Sequence, residues 1–271
     1  MENFLLPSKI EFQAGTNPYS KVLVITPCYH GYGTTLGNAL RRVLLSSLPG
    51  GAVESFKIKG VQHEFSTVDG ISEDVVEVML NLKQLAVKVF VEEPVVLTLV
   101  KKTAGPVTAA DITKDSRVEI MNPELLIANL STTKPFEMEI TVANGRGYKP
   151  VEEKDRKSYD LGTIVVDSVY TPVKDVGYKV EYTRVGDITN YERLTVNIET
   201  NGTVTPEEAV TQATQILMNH FSIVLDNIGQ AEVKPVQTEA VATTDEVAPV
   251  EEVVSEESEE KAAKKKPAKK K

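Results

Sequence analysis

Gly31-Tyr-Gly-Thr-Thr-Leu-Gly-Asn-Ala-Leu-Arg-Arg-Val-Leu-Leu-Ser-Ser-Leu-Pro-Gly50 is the stretch on which the reading of the whole chain turns. It predicts one helix, because Thr34 or Thr35 can cap the first exposed amides and Pro49-Gly50-Gly51 stops the run. At about 100° per residue, Leu36, Leu40, Val43, Leu44 and Ser47 fall on one side with Ala39 at its edge, which is a core-facing stripe. Measured from Leu36, Leu45 points roughly 180° away, and Arg41, Asn38 and Arg42 lie within about 60° of it. A leucine among arginines on the far side has the composition of a protein–protein hot spot. An ordinary exposed leucine, or a phosphate contact by two adjacent arginines, are the alternatives.

Outward from this helix the chain is rich in strand signals. Upstream, Ser8 to Gln13 and Lys21 to Thr26 read as strands with a turn at Asn17-Pro18, and Val-Leu-Val-Ile in the second is apolar enough for burial on both faces. Downstream, Ala52 to Lys59 reads as a strand and His63 to Gly70 as a loop. Ser72 then caps a second helix, with Glu73 and Asp74 in its first turn and Val75, Val78, Met79 and Leu82 facing inward. Val87 to Phe90, Val95 to Val100, Phe136 to Val142, Thr163 to Tyr170, Tyr178 to Thr183 and Leu194 to Thr200 are further strands. Phe136, Met138, Ile140 and Val142 alternate with Glu137, Glu139 and Thr141, as in a sheet with one wet face. Asn144-Gly-Arg-Gly-Tyr148 reads as a turn, with Arg146 solvated or touching a partner.

The last helix has the clearest start in the chain. Thr205-Pro206-Glu207-Glu208 combines an N-cap, a proline at the first helical position and a capping box closed by Glu208. Ala209, Ala213, Ile216, Leu217, Phe221, Val224 and Ile228 continue an apolar stripe until Gly229. A helix this long either packs against another subunit or runs through a core.

The 271 residues allow one or two domains, and the hydrophobic and charged fractions, 41% and 25%, are those of a globular protein. The net charge of -9 is uneven: Asp245 to Glu260 holds eight acids and no base, and Lys261 to Lys271 holds seven lysines and no acid. From Ala231 onward there is no aromatic residue, so 231–271 is expected to be a disordered tail, acidic and then Lys-rich. The N-terminus has neither a basic leader nor a long apolar run, which points to a cytoplasmic chain. Cys28 is the single cysteine, and His30, His63 and His220 share no ligand spacing, so no metal site is assigned. Gly31, Gly33 and Gly37 open a helix after a strand, yet their spacing is not the dinucleotide fingerprint and no Gly-Lys-Ser/Thr makes a P-loop. Glycines of a tight turn leading into the helix are the preferred reading. No nucleophile, base and orienting acid can be grouped, so no catalytic residue and no cofactor are assigned.

Several segments together carry a family resemblance. They are Gly33 to Gly50, His63-Glu-Phe-Ser-Thr67, Glu73-Asp74 with Leu80-Asn-Leu-Lys83, Pro106 to Ile112, Gly145-Arg-Gly-Tyr148, and Glu199-Thr-Asn-Gly-Thr203 with Pro206-Glu-Glu-Ala209. In this order, over roughly residues 1 to 230, the chain resembles the α subunits of bacterial-type RNA polymerase. The resemblance implies a homodimeric scaffold without catalytic activity, on which the large catalytic subunits β and β′ assemble. It implies an α+β fold: a dimerisation subdomain from 1–49 and 174–230, with two main helices on an antiparallel sheet, and an inserted, mostly β subdomain at 50–173. The two main helices would form the dimer interface through Leu36, Leu40, Val43, Leu217, Phe221 and Val224. The family's β contact falls on Arg42 and Leu45, with Asn38 and Arg41 beside them, and its β′ contact on Thr171, Pro172, Val173 and Arg193.

Family members usually continue into a small helical C-terminal domain that binds promoter DNA, and 231–271 has neither the length nor the apolar residues for it. The Lys-rich end could meet DNA phosphates without sequence preference, or stay solvated against its own acidic block. Two other functions compete with the scaffold: an independent nucleic-acid-binding protein using that tail, and a nucleotide-binding enzyme using the Gly31–Gly37 loop.

Overall fold

The computed structural model describes residues 6–132, 134–155, 159–186 and 188–231. Of the expected tail at 231–271, Ala231 is the last residue of a helix, and 232–271 lie outside the described residues. Described residues up to Ile228 form one compact unit. In chain order come β1 (Lys9–Ala14), β2 (Ser20–Cys28), α1 (Tyr32–Ser46), β3 (Pro49–Ile58), α2 (Val75–Lys83), β4 (Val87–Val89) and β5 (Val95–Lys101). There follow β6 (Gly105–Thr108), β7 (Val118–Ile120), β8 (Leu126–Leu130), β9 (Phe136–Arg146), β10 (Tyr148–Lys149), β11 (Thr163–Val165), β12 (Ser168–Val169), β13 (Val173–Val185), β14 (Ile188–Thr200) and α3 (Pro206–Ala231). The fold is therefore the α+β class expected, with antiparallel sheets throughout.

The first two and last two strands meet in one sheet, ordered β1-β2-β14-β13. Leu23 stands opposite Val196 and Ile25 opposite Leu194, so one parity of both strands faces a common side. On that side Leu23, Ile25, Val176, Leu194, Val196 and Ile198 join Leu40, Leu44 and Leu48 around α1 and Ala209 and Ala213 of α3 in one core. The capping box of α3 is formed: the Thr205 N–H donates to Glu208 Oε2 at 3.1 Å and the Glu208 N–H to Thr205 Oγ1 at 3.3 Å. Lys21 of β2 pairs with Glu207 in the same first turn.

A second core lies between 53 and 166. The longer sheet runs β5-β9-β3-β4-β7, with β11 also on β3, and the predicted Phe136, Met138, Ile140 and Val142 face is buried in it. Val75, Val78 and Leu82 of α2 close that core from outside the sheet. Beside it Lys154 is buried, and its Nζ donates to Glu54 O at 3.1 Å and Ser168 Oγ at 2.6 Å, tying β3 to β12. Its burial holds the ammonium below the usual lysine range.

Several local expectations change. Ser72 does not cap α2; Asp74 does, accepting from the Glu77 N–H at 2.7 Å. Asn144 to Arg146 is not a turn but the end of β9, with Arg146 opposite Pro49, and Gly147 takes the positive φ that turns the chain. The short strands β6, β7, β8 and β10 carry too little alternation to be read in advance.

The largest correction concerns α1. It starts at Tyr32, Gly31 at φ 84 takes the cap position, and neither Thr34 nor Thr35 caps it. Its buried residues are Gly33, Gly37, Leu40 and Leu44. Their centre lies about 70° round the helix from Leu36, so the leucine-weighted stripe was out of phase. A Cβ on Gly37 would stand 2.7 Å from Tyr178 Cδ2 and 3.0 Å from Leu194 Cδ1, and one on Gly33 would stand 3.0 Å from Val180 Cγ1. The helix thus rests backbone-first on β13 and β14. Alanine is the better helix former by about 1 kcal/mol, yet Gly37→Ala is expected to destabilise the chain by roughly 1–3 kcal/mol through overpacking. Urea unfolding checks this against Thr34→Ala at an exposed position, which should be neutral or slightly stabilising.

Candidate subunit-docking site

With the glycine side of α1 against the sheet, the opposite pole is fixed. Arg42 lies about 170° from the buried centre and Asn38 about 130°, and Asn38, Arg41 and Arg42 are exposed. Leu45 is not diametrically outward as its angle from Leu36 suggested. It is half-buried and packs on the same core as Leu36 and Val43. It therefore forms an apolar shoulder between the core and the arginines. Ser46 beside it is turned back, its Oγ donating to Arg42 O at 2.8 Å.

The other end of α1 is held by a residue that periodicity did not select. Glu192 of β14 is only 5% exposed, and its carboxylate accepts from the Gly31 N–H at 2.8 Å and the Gly33 N–H at 2.9 Å. His30 Nδ1 lies 3.4 Å from the same group, and the His30 ring stacks on Tyr182. A negative group on the first amides of a helix satisfies donors that would otherwise be orphaned and complements the helix dipole. The signal was available in parity, since residue 192 shares the inward parity of Leu194, Val196 and Ile198, but the predicted strand began only at Leu194. The same contact bears on the glycine loop: the amides that would cradle a phosphate are occupied by a carboxylate from the chain itself.

The remaining candidates separate by accessibility. Arg193 is exposed, facing away from Glu192, and stands opposite Glu181, whose carboxyl is held down chiefly by Lys179 and less by Arg193. Thr171 is half-buried, whereas Pro172 and Val173 are buried, Val173 within the first core. Pro172 O accepts from the Asn201 N–H at 2.9 Å. Those two residues shape the backbone more than they offer surface.

Of the residues expected at a dimer interface, Leu40 belongs to the chain's own core, and Leu36, Val43 and Leu217 are half-buried around it. Phe221 and Val224 are exposed, at 67% and 55%. They belong to a larger set in the second half of α3, with Met218, Ile223, Leu225 and Ile228, each more than half exposed. The apolar stripe that begins under Ala209 and Ala213 thus outruns the core that covers its start.

Cys28 is buried, its thiol pushed up by that burial, and its Sγ donates to Ile25 O at 3.7 Å. Among the described residues, no group of three or more His, Cys, Asp or Glu is placed to hold a metal ion, and no helix is long and apolar enough to cross a membrane.

Comparison with known proteins resolves what this scaffold belongs to. The family described as the RNA polymerase Rpb3/RpoA insert domain matches residues 56–171, which hold all of the second core except Val53. A DNA-directed RNA polymerase subunit alpha from Desulforamulus reducens is 50% identical over 217 residues, covering 79% of this chain and 69% of that protein. One from Oceanobacillus iheyensis is 50% identical over 200 residues, covering 74% of this chain and 64% of that protein. At this identity and coverage the chain belongs to the family of DNA-directed RNA polymerase α subunits, scaffold subunits that assemble with the other subunits of the transcribing enzyme.

Proposed function

We propose that the chain homodimerises through the second half of α3 and then presents α1 of one copy to the large subunit β, leaving the other copy for β′. The observation that carries this is the uncovered apolar half of α3. Met218, Phe221, Ile223, Val224, Leu225 and Ile228 spread over more than half the circumference of the helix, and their exposure in water is unfavourable. A second copy related by a two-fold axis supplies the same apolar helix in return, and Leu36 and Val43 flank it from α1. Leu40, by contrast, enters only as support from beneath.

In this reading Arg42 and Leu45 form the β contact, a guanidinium beside an apolar shoulder, with Asn38 and Arg41 at the rim. The β′ contact uses Arg193 and Thr171, with Pro172 and Val173 fixing the segment between them. The residues 1–49 and 174–230 serve as the dimerisation subdomain and 50–173 as the insert, in keeping with the two separate cores. No catalytic residue and no cofactor is assigned to the chain, which acts in the cytoplasm as part of the polymerase. Contact with DNA is indirect or through the Lys-rich end, which lies outside the described residues. The nucleotide-enzyme alternative loses its loop to Glu192.

Two measurements test this. Phe221→Glu should raise the dimer dissociation constant at least thirtyfold, because each substitution enters a symmetric interface twice; sedimentation velocity across a concentration series reads it directly. Arg42→Ala should leave sedimentation unchanged and weaken capture of immobilised β by roughly tenfold or more. Loss of the dimer in Arg42→Ala with normal β affinity would show the two faces to be exchanged.

A further inference from the structure

The docking face sits toward one end of α1, and among the described residues Glu192 is the charged side chain buried against the other end. Its two oxygens take the Gly31 and Gly33 amides, one each, at 2.8 and 2.9 Å. Gly33 has no room for a side chain because a Cβ there would stand 2.8 Å from Glu192 Oε2. Thus the carboxylate, the glycine and the first turn are fitted to each other. No side chain from α1 itself caps the helix, so the registration of this end depends on β14.

We propose that Glu192 is the positioning residue of the docking helix: by clamping the first-turn amides, it sets the direction in which Arg42 and Leu45 are presented to β. This rests on the reading of α1 as the β-docking face. From Gly33 to Arg42 the helix rises about 13 Å, and the contact face between them is glycine and leucine, which resists translation poorly and makes no directional bond. Of the contacts named at this helix, the carboxylate–amide pair is the directional one linking it to the sheet. Its removal leaves two amides at the helix start without acceptors, and the helix recovers by fraying or by tilting toward water. Either response displaces the guanidinium of Arg42. Glutamine at this position is a poor substitute, since it offers one carbonyl oxygen where two are used and turns donors toward donors.

The test uses the full chain as Glu192→Ala, Glu192→Gln and Arg42→Ala, with purified β as the binding partner. Amide hydrogen exchange reads the clamp independently of β. In Glu192→Ala the amides of Gly33 and its neighbours should exchange about tenfold faster or more while the dimer persists, and β capture should weaken about five- to tenfold. Sodium acetate, which fits the space left by the deleted carboxymethyl group, should restore both readouts relative to chloride at equal ionic strength. It should not rescue Glu192→Gln, whose side chain still fills the site, and which should fold normally and bind at an intermediate level. Normal β capture by Glu192→Ala despite fast exchange overturns the proposal, as does a binding loss that acetate leaves untouched. Normal capture by Arg42→Ala as well would mean that the docking reading itself has failed, and the role of Glu192 falls with it.

Discussion

The close approach of α1 to the β13–β14 pair is the constraint from which the rest of the architecture follows. Gly33 and Gly37 let the helix backbone come down onto Val180, Tyr178 and Leu194, where any side chain would hold it off. Leu40 and Leu44 continue that line into the core shared with Ala209 and Ala213 of α3. Once this side is fixed, the opposite side is fixed too, and it holds Asn38 and Arg42, with Arg41 nearer the edge. The carboxylate of Glu192 adds direction to a contact that is otherwise only steric.

α3 obeys a complementary logic. Ala209 and Ala213 are small and fully buried, so the first half of the helix lies flat against the sheet. Beyond Leu217 the residues become large and apolar just where the chain runs out of core to cover them. A helix built for a monomer would turn polar at that point. In the proposed function this geometry has a use, because a scaffold presents surfaces that are complete only in an assembly.

How much of this could be read in advance depended on whether the signal was local. The start of α3 was legible because cap, proline and Glu208 are all within four residues of one another. The Phe136 to Val142 face was legible because strand alternation needs no partner to be recognised. The phase of α1 was not, because glycine carries no hydrophobic signature even when it is the residue most deeply packed, so the leucines pulled the stripe about 70° away. Leu45 was misplaced by the same error, while Arg42 remained outward under either phase. Glu192 was missed because its partners at Gly31 and Gly33 are some 160 residues away in sequence, and the strand carrying it was read as starting two residues late. Asn144 to Arg146 looked like a turn by composition, yet pairing with Pro49 to Gly51 outweighed that local preference. The outward arginines of α1 were legible from periodicity, whereas which partner each site residue would meet is implied only by family resemblance; burial distinguishes exposed Asn38, Arg41, Arg42 and Arg193 from buried Pro172 and Val173.

Two identical chains that offer one face each to two different large subunits require a fixed stoichiometry. Multi-angle light scattering of the full chain titrated with purified β measures the stoichiometry directly. The expected complex saturates at two copies of this chain to one β, with the second α1 face still able to take up β′. Saturation at one copy to one β, or at two to two, would contradict it.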